Sequence, residues 1–211
     1  SIGSKQIPAE AYYGVQSLRG AENFHITGAK LHPEFINSLA AIKKASALNN
    51  LAVGELDKSI CDAICQACDE IMAGQFHDQF ICDAIQGGAG TTANMNANEV
   101  IANRAIEILG GTKGDYSVVH PNDHVNRAQS TNDVIPTAGK ITTIKLLQAA
   151  VKELQRLEKS LAAKEKEFDS VVKMGRTQMQ DAVPIRLGQE FGAYRSVVAR
   201  DLKRFSELMP Y

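Results

Sequence analysis

From Pro33 onward, apolar residues fall on a three-and-four rhythm. Phe35, Ile36, Leu39, Ile42, Ala45, Leu48 and Leu51 mark one face of a helix that Gly54 would stop. A second helix is predicted over 57–73, with Asp57 as its N-cap and Ile60, Ile64, Cys68 and Ile71 as its buried face. A glycine-rich stretch, Gln86 to Thr92, leads into a third helix over 94–109, which ends at Gly110 and Gly111. The longest periodic segment runs from Ser130 to Phe168, with Ile144, Leu147, Val151, Leu154 and Leu161 as its inner stripe. Pro136 lies close behind its start, so the helix either begins near Ile135 or bends there. A last helix is predicted from Pro184, a suitable first-turn residue, to Leu208. Residues 1–32 are less regular. Tyr12 to Val15 and Phe24 to Ile26 read there as short strands or extended pieces.

This pattern predicts a mainly α fold. A helix of roughly 35 residues would be about 50 Å long, more than a compact domain of this mass spans. Its continuous apolar stripe calls for partners along its length. The segment from Pro184 to Leu208 supplies one, and the rest must come from further sequence or other subunits. Oligomerisation is therefore expected.

Composition narrows the function classes. Of 211 residues, 44% are hydrophobic and 22% charged, which is ordinary for a globular chain. Lys plus Arg is 23 and Asp plus Glu is 24, a net charge of -1. Nothing here makes a broad basic field, so neither nucleic acid nor an anionic membrane is an expected partner. No apolar run approaches the roughly 20 residues of a membrane span, and the first residues lack a signal-peptide pattern; a cytoplasmic location is the expectation. Of four cysteines, Cys61, Cys65 and Cys68 share one helix face and read as three small buried apolar residues in a reducing compartment rather than a metal or redox site; the fourth is Cys82.

Three polar loops carry the candidate chemistry. The first spans Gly87 to Asn96, where three glycines open the backbone and hydroxyls gather at a helix N-terminus that favours anions. A tight turn with hydroxyl capping is the alternative. Its spacing fits neither a phosphate-binding loop nor a dinucleotide fingerprint. The second spans His120 to Asn126 and continues through Ser130, Thr131, Asn132 and Asp133. Four consecutive good N-caps are more than one helix needs, and they offer several donors to a small anion. His120, Asp123 and His124 do not match a zinc or iron spacing, so a hydrogen-bonded loop is favoured over a metal site. The third, Gly175 to Asp181, is short and polar. The residues alone thus give a mostly helical chain suited to a small carboxylate. They contain no nucleophile–base pair of the Ser-His-Asp kind.

In order and in wording, these loops resemble the aspartase/fumarase family. The matching stretches are Ile85 to Asn103, His120 to Asp133, and Gly175 to Pro184 with Leu187 to Glu190; Pro8 to Val15 matches as well. The resemblance covers essentially the whole chain. Within the family the wording leans to the aspartase side. Ala89 stands where fumarases usually carry serine, Thr131 follows Ser130 where they usually have two serines, and Gln178 stands where they have histidine.

The resemblance implies a small N-terminal domain of short strands and helices over 1–128, then the first long helices of a central bundle over 129–211. It implies proton removal beside one carboxylate of a four-carbon diacid, an aci-carboxylate dianion, and loss of ammonia. L-aspartate and fumarate would be the ligands, with no cofactor and no metal. By the same resemblance Thr91, Ser130 and Thr131 would hold the carboxylate that becomes the dianion. Asn132 and Thr177 would sit near the amino group, and Gln178 would orient. His120, Asn122 and Asp123 resemble a secondary anion site. The family works as a homotetramer whose sites draw on three subunits. Its catalytic serine sits on a Gly-Ser-Ser loop that nothing in residues 1–211 matches, so this stretch by itself is expected to be inactive. Fumarase, another lyase of the family, and a helical scaffold without catalysis are the competing readings.

Overall fold

The computed structural model describes residues 4–208. The elements are α1 (Val15–Asn23), α2 (Pro33–Ala52), α3 (Lys58–Met72), α4 (Thr91–Ile108), α5 (Thr131–Glu167), β1 (Val172–Thr177), β2 (Gln180–Arg186) and α6 (Leu187–Leu208). The mainly α class is as the periodicity requires. Packing divides the chain into two compact units, one ending at Thr142 and one starting at Thr143.

The first unit is built on α2, α3 and α4. Its core includes Leu39, Ile64, Ile71, Ile101, Ile106, Val119 and Val125. Pro33 opens α2 behind His32, whose Nδ1 accepts from the Glu34 N–H at 3.1 Å. The predicted stripe of α2 is corrected here: Ala45 and Leu48 face out, while Ile36, Leu39, Lys43, Ala47 and Asn50 face in. The cause is a second, polar neighbour. Lys43 and Asn50 turn toward residues 126–129, and Asn50 Nδ2 donates to the Arg127 carbonyl at 3.1 Å.

The strands expected before residue 32 are not strands. Residues 11–14 are irregular, and helix α1 follows directly. The N–H groups at the start of α1 are gathered by a side chain instead of a ladder. The buried Glu99 carboxylate of α4 accepts from the N–H groups of Gly14, Gln16 and Ser17 at 2.9–3.0 Å and from the Ser17 hydroxyl. The turns of α5 that carry Val134, Ala138 and Thr142 also bury in this unit, with Thr142 Oγ1 2.9 Å from the Ser38 hydroxyl. This packing carries the first compact unit past residue 130, where the loop ends and α5 begins.

The second unit comprises the rest of α5, the β1–β2 hairpin and α6. The strands are antiparallel, with Thr177 opposite Gln180 and an irregularity between Met174 and Arg176. This corrects the expectation of a loop followed by a helix from Pro184. Pro184 lies in β2 opposite Met174, tolerable because each strand of a two-stranded sheet has a free edge. α6 starts at Leu187 against the end of α5. There Gly188 is required, because a β-carbon would overlap the Glu165 carbonyl. Phe168 stacks on Phe191 at 5.6 Å, and Arg195 pairs with Glu165 at 2.6 Å. The stripe residues Leu147, Val151, Leu154 and Leu161 are half-buried, and Ile144 is exposed.

Candidate active site

Two helix N-termini of the first unit come together. The loop before α4 turns through three successive left-handed residues, Gly88 (φ 69°), Ala89 (φ 53°) and Gly90 (φ 86°). Ala89 is the costly one, since a residue with a side chain rarely takes that conformation. Gly90 is needed twice over. Besides its positive φ, a β-carbon there would lie 3.0 Å from Ile135 of α5. Gln86 caps α4 through Oε1, which accepts from the Ala93 N–H at 2.6 Å. Thr91, the first residue of α4, is exposed and donates its hydroxyl to the Gly88 carbonyl at 2.6 Å.

Facing it is the start of α5. Ser130 precedes the helix, and its carbonyl accepts from the N–H groups of Asp133 and Val134. Thr131 is half-buried, while Ser130 and Asn132 are exposed. Of the two alternatives for Pro136, the helix starts before it: α5 runs from Thr131 with Pro136 inside. Proline has no N–H, so the Asn132 carbonyl has no helical donor four residues on. Asn94 joins the two termini, its Nδ2 lying 3.1 Å from Thr131 Oγ1 and 3.2 Å from Asn126 Oδ1.

Behind them lies a residue that sequence reasoning missed. Lys43 is 0% exposed, and its Nζ donates to Asn126 Oδ1 at 2.7 Å and Gln129 Oε1 at 3.0 Å. Burial pulls its amine down to about 7, opposed by the Cys68 thiol. The available signal was its spacing: Leu39, Lys43 and Ala47 are four apart on one helix face.

The proposed secondary anion residues gather at one wide helical turn, Pro121–Val125, which holds Asn122 and Asp123 and has His120 as its N-cap. His120 Nδ1 accepts from the N–H groups of Asn122 and Asp123 at 3.2 and 3.1 Å. That nitrogen is also 3.2 Å from Asp123 Oδ2. An accepting Nδ1 carries no proton, so the Asp123 contact becomes an ion pair only after protonation. His124 Nδ1 accepts from the His120 N–H at 2.9 Å. Burial, then the neighbouring His120, lowers the pKa of His124. Asn122 and Asp123 are exposed.

Thr177 and Gln178 lie in the second unit, at the tip of the hairpin. The two turn residues, Gln178 (φ 49°) and Met179 (φ 63°), are both left-handed although neither is glycine. Such tight hairpin turns favour Asn-Gly, so this tip is strained.

The cysteines behave as small apolar residues. Cys61 and Cys68 are fully buried, and burial pushes the Cys65 and Cys82 thiols up to about 12. Among the described residues no group of three or more His, Cys, Asp or Glu is placed to hold a metal. No described helix is long and apolar enough to cross a membrane.

Hydroxyl and amide side chains thus gather where the starts of α4 and α5 meet on a helical scaffold, and comparison with known proteins gives that scaffold its family. The lyase family profile matches residues 3–211, and the chain belongs to that family. It is 59% identical to an aspartate ammonia-lyase of Bacillus subtilis (strain 168) over 206 residues, covering 98% of this chain and 43% of that enzyme. It is 50% identical to a class II fumarate hydratase of Halobacterium salinarum, covering 100% of this chain and 45% of that one. Among solved structures, a Brucella melitensis protein described as fumarate lyase:delta crystallin superposes with a TM-score of 0.90 at 47% identity, covering 100% of this chain and 48% of that one. The chain thus spans less than half the length of these relatives.

Proposed function

We propose that the full-length protein is an aspartate ammonia-lyase that converts L-aspartate to fumarate and ammonia. The observation that carries this reading is the meeting of the first turns of α4 and α5, where Asn94 of α4 lies 3.1 Å from Thr131, the first residue of α5. Helix N-termini favour anions. Donors fixed where charge develops account for much of such a catalyst's effect. Ser130 and Thr131 would hold the carboxylate that gathers charge as the neighbouring carbon loses its proton, joined by Thr91 when its hydroxyl turns from the Gly88 carbonyl to the ligand. Asn132 would meet the amino group, and by the family resemblance Thr177 would do the same and Gln178 would orient, each serving a site of this chain or of another subunit. His120, Asn122 and Asp123 would form a secondary anion site. The proton acceptor would be the serine of the family's Gly-Ser-Ser loop, which nothing in residues 1–211 matches. The working form would be a homotetramer in the cytoplasm.

The 50% identity to a fumarate hydratase favours one second reading, addition of water to the same diacid. A substrate panel on the full-length protein separates the two. Ammonia release from L-aspartate supports the first reading; malate formation from fumarate without ammonia release supports the second.

A further inference from the structure

Hydrogen-bond polarity can be followed outward from Lys43. A lysine amine, charged or neutral, has N–H groups enough for two acceptors. The Gln129 atom beside it is the amide oxygen, at 3.0 Å, because Gln129 Nε2 already donates to the Val125 carbonyl at 2.9 Å, and the Asn126 atom is likewise Oδ1, at 2.7 Å. Asn126 is fixed from its other end too, since its Nδ2 donates to the Gln129 carbonyl at 3.1 Å. With Asn126 Oδ1 facing Asn94, Asn94 must answer with its Nδ2, at 3.2 Å; the reverse orientation would set oxygen against oxygen. The same Nδ2 has a second hydrogen, and it lies 3.1 Å from Thr131 Oγ1. Asn94 is 2% exposed, and its Oδ1 is buried with no hydrogen-bond partner among the described residues. An amide free to choose would not leave that oxygen unsatisfied, so its neighbours impose the orientation.

We infer that the buried Lys43–Asn126–Asn94 chain makes Asn94 a positioning residue, which occupies a lone pair of Thr131 Oγ1 and leaves the hydroxyl proton directed out to the bound carboxylate. The inference rests on the reading of Thr131 as a carboxylate ligand and deepens it. A threonine hydroxyl has one proton and can either donate inward or donate to the ligand. An acceptor at position 94 would draw that proton inward, and the anion would meet a lone pair.

The test is a double-mutant cycle in the full-length protein, read as the dissociation constant for succinate, a non-reacting four-carbon dicarboxylate, with thermal melting as a folding control. Asn94→Asp is nearly isosteric but presents an acceptor to Thr131. It is expected to weaken succinate binding about tenfold or more, the scale of a lost hydrogen bond to a charged group. Asn94→Ala, which frees the hydroxyl without reversing it, is expected to weaken binding less. In a Thr131→Val background no hydroxyl remains to be turned, so Asn94→Asp is expected to add little. Equal losses in both backgrounds would mean plain charge repulsion or structural damage, and would overturn the inference. If Thr131→Val alone leaves binding unchanged, Thr131 is not a ligand and the functional reading of that residue fails with it. Should Asn94→Asp not fold, Lys43→Met supplies the cycle from the far end of the chain. Its loss must again shrink when Thr131 is valine, and no loss, or an undiminished one, overturns the inference.

Discussion

A buried carboxylate can serve as structure as readily as chemistry, and Glu99 does the former. Its oxygens gather three backbone N–H groups and the Ser17 hydroxyl around the start of α1. Glu99→Gln keeps the shape but turns an NH2 group toward those donors. It is expected to cost about 3 kcal/mol of stability, measured by denaturant unfolding. Two other residues tie stability to pH. Asp83 accepts from the N–H groups of Ile85, Thr27 and Gly28 at 2.8 Å and from the Thr27 hydroxyl at 2.7 Å. These bonds hold its carboxyl well below the usual range. Its folded-state pKa is depressed, so its stabilisation is present above the unfolded value and is lost as pH falls below about 4. His124 also has a lowered pKa, because its ring is buried beside His120. The unfolded chain binds that proton more readily, so stability is expected to begin falling as pH drops through about 6.5. Unfolding midpoints across pH check both steps, and replacing His124 by Gln should flatten the upper one.

Helices α2 to α5 and their order were legible as elements because each carries a long periodic run, whereas the short α1 was not. What was not legible is where polar residues replace apolar ones inside a packed face. Lys43 and Asn50 displace Ala45 and Leu48 from the inner side of α2, since a turn distant in sequence meets them there. The hairpin was hidden for a related reason: its turn residues, Gln178 and Met179, are not turn formers. The polar loops stood out in sequence as runs of hydroxyls and amides, whereas the roles proposed for Thr91, Ser130 and Thr131 came from the family resemblance. Lys43 does not stand out in that way. Two expectations belong to this scale. Met179→Gly relieves a left-handed residue and is expected to stabilise the hairpin by about 0.5–1 kcal/mol, seen as a higher melting temperature with activity kept. Gly90→Ala meets both a positive φ and Ile135. It should cost about 1–3 kcal/mol and weaken succinate binding, because the start of α5 must shift away from the loop.

At the scale of the molecule the two units differ in how much they bury. The first has a continuous core through α2, α3 and α4. Among the described residues of the second, no large apolar side chain is fully buried, and Leu146, Leu157, Tyr194 and Val197 are exposed. The sequence anticipated this from the long stripe of α5, which needs more neighbours than one companion helix. Additional helices from the full-length protein and from other subunits are the proposed covering. Light scattering on the full-length protein is expected to give a tetramer. The isolated 211-residue chain is expected to release no ammonia, since a missing general base alone costs about 10²–10⁴-fold. The most direct test of the account is to supply L-aspartate to the full-length protein and follow ammonia and fumarate together. Equal amounts of both, lost in parallel on Thr131→Val, are the expected result. Absence of ammonia from L-aspartate, with fumarate instead hydrated to malate, would contradict it.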